Sequence, residues 1–447
     1  MHEPSQAQPP PGWEDSERAA RLAARIPAET GLEAGELLEL CLRTPDPDGA
    51  LAGAMRALAA HRERYGRPAP REGLPRLVRV CAYSKFLAQV LAARPRLLAL
   101  LACARFAQRP PKLRAGRIPD AGTLARRLRR HKQVEVLRIA LRDIDGASLE
   151  EVTRDLSRLA AASFDAAVRF HYARLCAQHG PPAGRSANGP PGFCVLGMGK
   201  LGGEELNFSS DADVLYVYDV DGATSGGLPH FAFYARLAEA VTASVGSPQA
   251  SAEGGFVFRV DLDLRPEGRS GPIVNAIRGL ELYYEAQGAA WERFALLKAR
   301  PIAGDLDTGE EALKRLSPFV FRKYFDLKAI DEMRQLKARA EKEAARAPGL
   351  DLKLGRGGIR EIEFFVQALQ LLHGGRDANL RARGTLKALE RLLYAGLISS
   401  RDRDELSEAY VLLRRLEHRV QMLQERQTHS VPDDADERRR LARRAGY

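Results

Sequence analysis

Residues 197–213 read GMGKLGGEELNFSSDAD and are followed directly by the apolar run VLYVY at 214–218. Glycines leave backbone N–H groups free to approach an anion, and a helix that starts near them adds its positive end. The segment therefore predicts a phosphate-binding loop before a β-strand. It is not a Walker loop, because the Gly-x4-Gly-Lys-Ser/Thr spacing is missing, and a dinucleotide-binding fingerprint would not run into two aspartates two residues apart.

Two acidic residues, Asp211 and Asp213, stand at positions i and i+2 before this strand. Residues at this spacing on a strand share one face, so both carboxylates can point to the same place. They repel each other unless a cation lies between them, and Mg²⁺ held by carboxylates and substrate phosphate oxygens meets this need. The alternative is an Asx-rich turn without a metal. The Gly-rich loop and Ser209-Ser210 before the acids favour the metal site.

A second pair of acids, Asp261 and Asp263, follows an apolar run at Phe256–Val260. We expect this pair to lie on one strand face beside the first pair. Three converging acids make a two-metal site, which activates an oxygen nucleophile and stabilises the leaving oxygen in a displacement at phosphorus. Arg265 and Arg269 flank the acids, and guanidinium groups suit phosphate oxygens. Salt bridges to the neighbouring acids are the alternative for both arginines.

The 447 residues, 45% hydrophobic and 28% charged, have the composition of a globular protein with more than one domain. Changes in hydrophobic period and in Pro and Gly content divide the chain into four parts. They are a disordered lead at 1–16, a helical domain at 17–190, an α/β domain at 191–318 and a helical domain at 319–447. The predicted fold is thus mainly α, with an inserted α/β domain and helical domains on both sides.

Local patterns predict the elements of the last two parts. We expect strands at Phe193–Leu196, Val214–Tyr218 and Phe256–Val260 in one sheet, a helix at Pro229–Val245, and helices at Ile330–Ala345 and Ile359–His373.

The net charge of +11 suits nucleic acid, nucleotide phosphates or an acidic protein partner, and does not choose among them. Five widely spaced cysteines without a Cys-x-x-Cys pair predict reduced core thiols rather than disulfides or zinc ligands. No uncharged apolar run of about 18 residues and no secretory signal pattern occur. These features predict a cytoplasmic protein that does not span a membrane.

Residues 197–218 resemble the nucleotidyltransferase motif of the DNA polymerase β superfamily, and more specifically the glutamine synthetase adenylyltransferase family. Further stretches resemble segments of the same family before and after this motif: Leu128–Asp143, Gly288–Ala303 and Leu352–Gln367. The resemblance implies a polymerase β-like fold for the α/β domain. It also implies an enzyme that adds AMP to, or removes AMP from, a tyrosine of glutamine synthetase.

The full-length family enzyme has two nucleotidyltransferase halves, whereas this chain has one. Its long helices before the motif and its helical end resemble the N-terminal, adenylyl-removing half, so we expect a truncated chain. The implied reaction is phosphorolysis, in which orthophosphate attacks the α-phosphorus of adenylyl-tyrosine and releases ADP and tyrosine. The implied cofactor is Mg²⁺ in a two-metal site. The implied partners are adenylylated glutamine synthetase, phosphate and ADP, with the PII protein as a regulator of nitrogen assimilation.

The resemblance also assigns site residues. The catalytic and metal-binding residues are Asp211, Asp213 and Asp261. The nucleotide- or phosphate-binding residues are Gly197, Gly199, Lys200, Gly202, Gly203, Ser209, Ser210, Arg265, Lys298, Arg300 and Arg360. One position departs from the family, whose strand usually reads Asp-x-Arg-x-Arg-Pro, because Asp263 stands here in place of the first arginine. We expect Asp263 to weaken anion binding or to add a fourth carboxylate facing the metal.

The Gly-rich stretch before Ile359 allows two interpretations. The side chains of Lys353, Arg356, Arg360, Glu361 and Glu363 could line the nucleotide pocket at a helix N-terminus. A helix cap combined with Arg–Glu pairing explains the same residues.

Three rival functions remain open at this point. The chain could be the transfer half, which uses ATP to adenylylate the tyrosine. It could be a template-independent RNA nucleotidyltransferase, although it lacks an RNA-recognition signature with interleaved aromatic residues. It could also be a non-catalytic module that only binds the PII protein or glutamine synthetase, because of Asp263.

Overall fold

The computed structural model describes residues 13–108, 110, 113, 118–185, 191–246, 255–322 and 350–447, together with 334, 335, 338 and 342. These residues are mostly helical with a small mixed sheet, as predicted. The chain divides into two compact units: residues 1–112, 133–152 and 414–447 form unit 1, and residues 113–132 and 153–413 form unit 2. Most of the predicted lead at 1–16 and of the predicted helix Ile330–Ala345 lies outside the described residues.

The N-terminal segment consists of separate helices, several of which end at Pro-containing stretches of the sequence. Its helices are α1 (Ser16–Thr30), α2 (Ala34–Leu42), α3 (Pro47–Tyr65), α4 (Leu74–Tyr83), α5 (Lys85–Ala93), α6 (Leu98–Ala102), α7 (Ala121–Ile144) and α8 (Leu149–His179). Asp46 shows how such a stretch begins the next helix, because its side chain accepts the N–H of Gly49 at 2.9 Å and Pro47 takes the first position.

Helix α3 packs against α1, α4 and α5 at the centre of unit 1. A side chain at Gly53 would place its Cβ 2.9 Å from the Cβ of Cys81, so glycine lets α3 approach α4 closely. All five cysteines are free, and four of them are buried. The prediction of core thiols is therefore confirmed for these four, whereas Cys103 is exposed. Among the described residues, no helix is long and apolar enough to cross a membrane.

The α/β part of unit 2 follows. Its elements are β1 (Phe193–Gly197), the single turn α9 (Gly199–Gly202), β2 (Asp211–Tyr218), α10 (His230–Gly246), β3 (Arg259–Asp261), β4 (Val274–Ala276), α11 (Ile277–Ala286), α12 (Ala290–Leu297), β5 (Arg300–Gly304) and α13 (Leu306–Val320). Helices α14 (Ile359–His373), α15 (Thr385–Tyr394), α16 (Ser400–Gln424) and α17 (Ala435–Ala445) complete the described chain.

The sheet has the strand order β3-β2-β1-β5, and β4 pairs with the far end of β2. Strand β1 is antiparallel to β2 and β5, whereas β3 is parallel to β2. Gly197, at the end of β1, lies opposite Val214 on one side and Arg300 on the other. This register brings the start of β2, the Gly-rich loop and Arg300 together at one end of the strands, which we call the site edge of the sheet.

The sequence predicted the three strands in one sheet and placed α10 and α14 closely, but two details were wrong. Strand β2 begins at Asp211 instead of Val214, and the third strand is Arg259–Asp261 instead of Phe256–Val260. The apolar run was a misleading signal, because Val257 and Phe258 are buried as side chains of a loop. Strands β4 and β5 were not predicted, since one is only three residues long and the other contains a proline.

A hydrophobic core packs against the sheet beside the site edge. Residues Leu196, Leu215 and Val217 of the sheet pack with Leu280 of α11 and Leu316 of α13, all at most 2% exposed. Burying such side chains contributes about 1.5–3 kcal/mol each. The packed core therefore fixes the positions of strands β1 and β2, which carry the site residues.

Candidate active site

The parallel pairing of β2 and β3 positions the three predicted acids. Asp213 lies directly opposite Asp261, and Asp211 lies opposite Arg259. Neighbouring strands are about 5 Å apart, and opposite residues of one sheet share a face. The structure therefore brings Asp211, Asp213 and Asp261 together, and the third acid comes from a separate strand, as predicted.

Asp213 is the electrostatic centre of this group. Its burial, the carboxylate of Asp261 and the carboxylate of Asp211 raise the pKa of Asp213 to about 7, and Lys353 and Lys200 oppose the shift. Both lysines are thus close enough to act on the acids. The sequence left two interpretations for the Gly-rich stretch that contains Lys353, a nucleotide pocket or a helix cap. The position of Lys353 near Asp213 favours the pocket interpretation for this residue.

Arg259 is the neighbour that sequence reasoning missed. Its Nε donates to Oδ1 of Asp211 at 2.7 Å, and its Nη2 donates to the carbonyl oxygen of Ser209 at 2.7 Å. The guanidinium also lies 5.1 Å from the centre of the Phe256 ring. The available signal was its position two residues before Asp261, which the register of a parallel pair places opposite Asp211.

The donor chemistry of the three acids fits a magnesium ion, since Mg²⁺ prefers carboxylate oxygens and keeps room for substrate phosphates. The excess negative charge that raises the pKa of Asp213 is further support for a cation. In the part of the chain that the structure describes, however, no three acidic, His or Cys side chains are arranged to hold a metal ion as they stand. Asp211 instead directs one oxygen to Arg259.

Asp263 does not join the acids, which corrects the expectation that it shares a strand face with Asp261. Strand β3 ends at Asp261, whose Oδ1 accepts the backbone N–H of Asp263 at 2.7 Å. The exposed side chain of Asp263 binds Arg269, with Nη2 2.9 Å from Oδ2, and this hydrogen bond lowers the pKa of Asp263. The salt-bridge alternative is thus confirmed for Arg269.

The Gly-rich loop supports Asp213 through close contacts. The N–H of Met198 donates to the carbonyl oxygen of Asp213 at 2.8 Å. Gly199 has a φ of +47°, and a Cβ there would lie 3.1 Å from Oδ2 of Asp213. The helix predicted to start near these glycines is the single turn α9, which has only four residues. The phosphate-binding roles of Gly197, Gly199, Lys200, Gly202 and Gly203 stay predictions.

Lys298 lies beneath this loop rather than in the open site. Its Nζ is within 2.7 Å of Glu205 Oε2, 3.1 Å of Glu363 Oε1 and 3.2 Å of Thr385 Oγ1. Burial alone would lower the pKa of Lys298, but Glu205 and Glu363 raise it above its ordinary value. The ammonium group is therefore charged and committed to these partners, which favours a positioning role over the predicted contact with phosphate.

Arg300 lies at the edge strand β5 beside the same loop. Its Nε donates to the carbonyl oxygen of Gly202 at 3.1 Å. Burial lowers the pKa of Arg300, Glu204 opposes this shift, and the charges of Arg383 and Arg158 add to it. Arg300 also lies 4.0 Å from Glu204, so its charge is partly offset, and its predicted contact with phosphate stays a prediction.

The remaining predicted residues have mixed surroundings. Ser209 Oγ accepts a hydrogen bond from Arg259 at 3.3 Å, and Ser210 Oγ accepts the N–H of Asn207 at 3.3 Å. Arg265 donates to three backbone carbonyl oxygens of its own loop, at Gly271, Leu262 and Arg269. It therefore shapes the loop after β3.

The start of α14 supports the cap interpretation for Glu361 and leaves the pocket interpretation of Arg360 untested. Glu361 Oε2 accepts the N–H of Gly357 at 3.0 Å, which is the cap interpretation. Arg360 is exposed in the first turn. Its predicted contact with the nucleotide stays a prediction.

Comparison with known proteins identifies the family of the chain. The family model of glutamate-ammonia ligase adenylyltransferase matches residues 74–315, more than half of the chain. A second model, of the PII-uridylyltransferase, matches residues 327–447.

Curated relatives are similar over most of the chain. The bifunctional glutamine synthetase adenylyltransferase/adenylyl-removing enzyme of Thioalkalivibrio sulfidiphilus is 44% identical over 387 residues, which cover 83% of this chain and 39% of the relative. The enzyme of the same name from Xanthomonas campestris is 41% identical over 414 residues, which cover 90% of this chain and 43% of the relative. The chain thus spans about two fifths of the length of these relatives. By the match of its family model, the chain belongs to the glutamate-ammonia ligase adenylyltransferase family.

Proposed function

We propose that this chain removes AMP from adenylylated glutamine synthetase by phosphorolysis, with Asp211, Asp213 and Asp261 as the catalytic, metal-binding acids. The observation that carries the proposal is the pairing of Asp213 with Asp261 across β2 and β3, with Asp211 beside them. The names of the relatives include an adenylyl-removing activity, which supports the choice of substrate.

The step transfers one adenylyl group. An oxygen of orthophosphate forms a bond to the α-phosphorus of adenylyl-tyrosine, the bond from this phosphorus to the tyrosine oxygen breaks, and the products are ADP and tyrosine, whose oxygen takes up a proton. Magnesium bound at the three aspartates would supply positive charge at the attacking and leaving oxygens.

The chain's own residues orient the reactants. The Gly-rich loop holds Asp213 by the bond from Met198, and Gly199 leaves the space beside its carboxylate free of a side chain. Lys200 and Lys353 lie near Asp213, so they can attract phosphate oxygens to the acids. Arg300, on the other flank of the loop, adds positive charge at the site edge of the sheet.

The opposite modification, adenylylation of the tyrosine, is the second candidate. In that case the tyrosine oxygen would bond to the α-phosphorus of ATP, the bond from this phosphorus to the β-phosphate would break and pyrophosphate would leave. The relatives' names include this adenylyltransferase activity as well. The three acids serve either direction, because both are displacements at the α-phosphorus.

The match of the PII-uridylyltransferase model to residues 327–447 supports a regulatory partner at the C-terminal part of the chain. We propose that the PII protein binds there and that the chain takes part in regulating nitrogen metabolism. The division into domains at 17–190, 191–318 and 319–447 remains part of the proposal.

A direct assay distinguishes the two directions. The chain is incubated with Mg²⁺ and either adenylylated glutamine synthetase plus orthophosphate or unmodified glutamine synthetase plus ATP. We expect ADP release that depends on orthophosphate in the first mixture. AMP incorporation in the second mixture without ADP release in the first would support the transfer half, and no turnover in either would refute an enzymatic role.

A further inference from the structure

We propose that Arg259 is an internal counter-cation: it binds Asp211 in the metal-free protein and competes with the divalent metal ion for that carboxylate. Metal binding at Oδ1 of Asp211 then requires Asp211 to leave Arg259. This inference rests on the proposed function, since it takes Asp211 as a metal ligand.

The contacts of Arg259 hold it in place from three sides. Its Nε binds Asp211 Oδ1 at 2.7 Å, and its Nη2 binds Ser209 through the carbonyl oxygen at 2.7 Å and through Oγ at 3.3 Å. The Phe256 ring lies 5.1 Å from the guanidinium carbon. Backbone pairing places Arg259 opposite Asp211, so the register of the sheet brings these two partly exposed side chains together.

The charge balance explains why the pair forms. Asp211, Asp213 and Asp261 carry three negative charges at the site edge of the sheet, and the charges of Asp211 and Asp261 already act on Asp213. An arginine bound to Asp211 offsets one of them, and a charge-assisted hydrogen bond to a carboxylate is strong. A metal ion that binds Oδ1 of Asp211 would have to displace Arg259, and the charge of Arg259 weakens the attraction of this carboxylate for a cation at either oxygen.

The geometry of the acids agrees with competition. As Asp211 stands, bound to Arg259, the described acids are not arranged to hold a metal ion. Arg269 makes a similar salt bridge with Asp263, but both side chains of this pair are exposed and both residues lie beyond the end of β3. Arg269 is therefore a matched control, since its removal changes the net charge equally without touching Asp211.

The test measures metal affinity without turnover. The full chain is stripped of metal with a chelator and titrated with Mn²⁺, an ion that suits the same oxygen ligands as Mg²⁺. Free Mn²⁺ is followed by electron paramagnetic resonance. We expect Arg259→Met to tighten the Kd for Mn²⁺ about tenfold, which corresponds to about 1.4 kcal/mol. Arg269→Met should stay within about twofold of the wild type.

A Kd for Arg259→Met that equals or exceeds the wild-type value would overturn the inference. If this variant does not unfold cooperatively, Arg259→Gln replaces it, because glutamine has no charge but its amide can still donate a hydrogen bond to Ser209. An unchanged or weaker affinity of Arg259→Gln would then overturn the inference equally, whereas a tighter one supports it.

Asp213→Asn separates this inference from the proposed function. If Asp213→Asn weakens Mn²⁺ binding but Arg259→Met leaves it unchanged, the metal site stands and the competition is refuted. If Mn²⁺ binding is insensitive to both Asp211→Asn and Asp213→Asn, the metal site itself is refuted, whatever Arg259→Met does.

Discussion

Asp213 and Asp261 lie directly opposite each other on the parallel strands β2 and β3. Like charges at opposite positions of a sheet are destabilising, and the pair contributes to the raised pKa of Asp213. A fold that keeps such a pair retains it at a cost in stability, and perturbed carboxyl groups of this kind cluster at functional sites. The pairing is the structural basis of the proposed activity.

We expect Asp213→Asn to stabilise the metal-free protein by about 0.5–1 kcal/mol, because the amide removes one charge from the repelling group. Urea unfolding in the presence of a chelator measures this change. A loss of stability of similar size would show that the Asp213 carboxylate is needed for folding rather than for function.

Gly199→Ala should lower the rate of ADP release at least about tenfold, because the new Cβ would lie 3.1 Å from Oδ2 of Asp213 and displacements of about 1 Å at a reacting group are costly. Its φ of +47° adds about 1 kcal/mol of backbone strain. Rate and urea stability are measured together.

The control for this variant is Gly396→Ala. Gly396 has a φ of +69°, and among the described residues no atom lies within 4 Å of a Cβ placed there. It should lose a similar amount of stability but keep its rate. Equal rates for the two variants would contradict a role of Gly199 at the acids.

Much of this site could be predicted from the sequence, because its residues are local in the chain. The Gly-rich loop, the two aspartates and their strand are contiguous, and alternation along a strand gives the shared face of Asp211 and Asp213. The third acid was also predicted, since Asp261 follows an apolar run. What failed was the end of β3: an apolar run does not show where strand pairing stops, so Asp263 was wrongly placed with Asp261.

Contacts between distant segments could not be predicted in this way. Lys298 binds Glu205 and Glu363, which are 93 and 65 residues away in the chain. Arg259 contacts Asp211 across 48 residues through the register of β3. Neither contact leaves a periodic signal in the sequence: Lys298 was assigned to phosphate by the resemblance alone, and no pattern singled out Arg259.

Lys298→Met should destabilise the protein by about 3–5 kcal/mol, because it leaves Glu205 and Glu363 without their buried cation. Urea unfolding measures the loss. Arg315→Met is the control: Arg315 and Glu311 form an exposed pair at 2.7 Å, and its loss should cost less than about 0.5 kcal/mol. If both substitutions cost the same, Lys298 has no special structural role.

The pH dependence of stability should include a contribution from His171. Burial, with the charge of Arg174, lowers the pKa of His171 to about 4, and its Nε2 lies 2.7 Å from Ser244 Oγ. The unfolded chain binds a proton near pH 6.5 that the folded chain takes up only near pH 4. Stability from the neutral imidazole is therefore complete above about pH 6.5 and lost as the pH falls towards 4, with a slope of at most about 1.4 kcal/mol per pH unit.

Urea unfolding of the wild type and of His171→Gln between pH 7 and pH 4 tests this contribution. The variant should lose less stability on acidification than the wild type does. Parallel curves for the two proteins would show that His171 does not titrate in this way.

The most direct test of the central claim compares the rate of ADP release from adenylylated glutamine synthetase, with orthophosphate and Mg²⁺, for Asp261→Asn and Asp263→Asn. The two residues are neighbours in sequence and both are acidic, but only Asp261 pairs with Asp213, whereas Asp263 binds Arg269. Loss of a metal-bound carboxylate should reduce the rate by several orders of magnitude in Asp261→Asn, whereas Asp263→Asn should remain within about twofold of the wild type. An active Asp261→Asn beside an inactive Asp263→Asn would contradict the account.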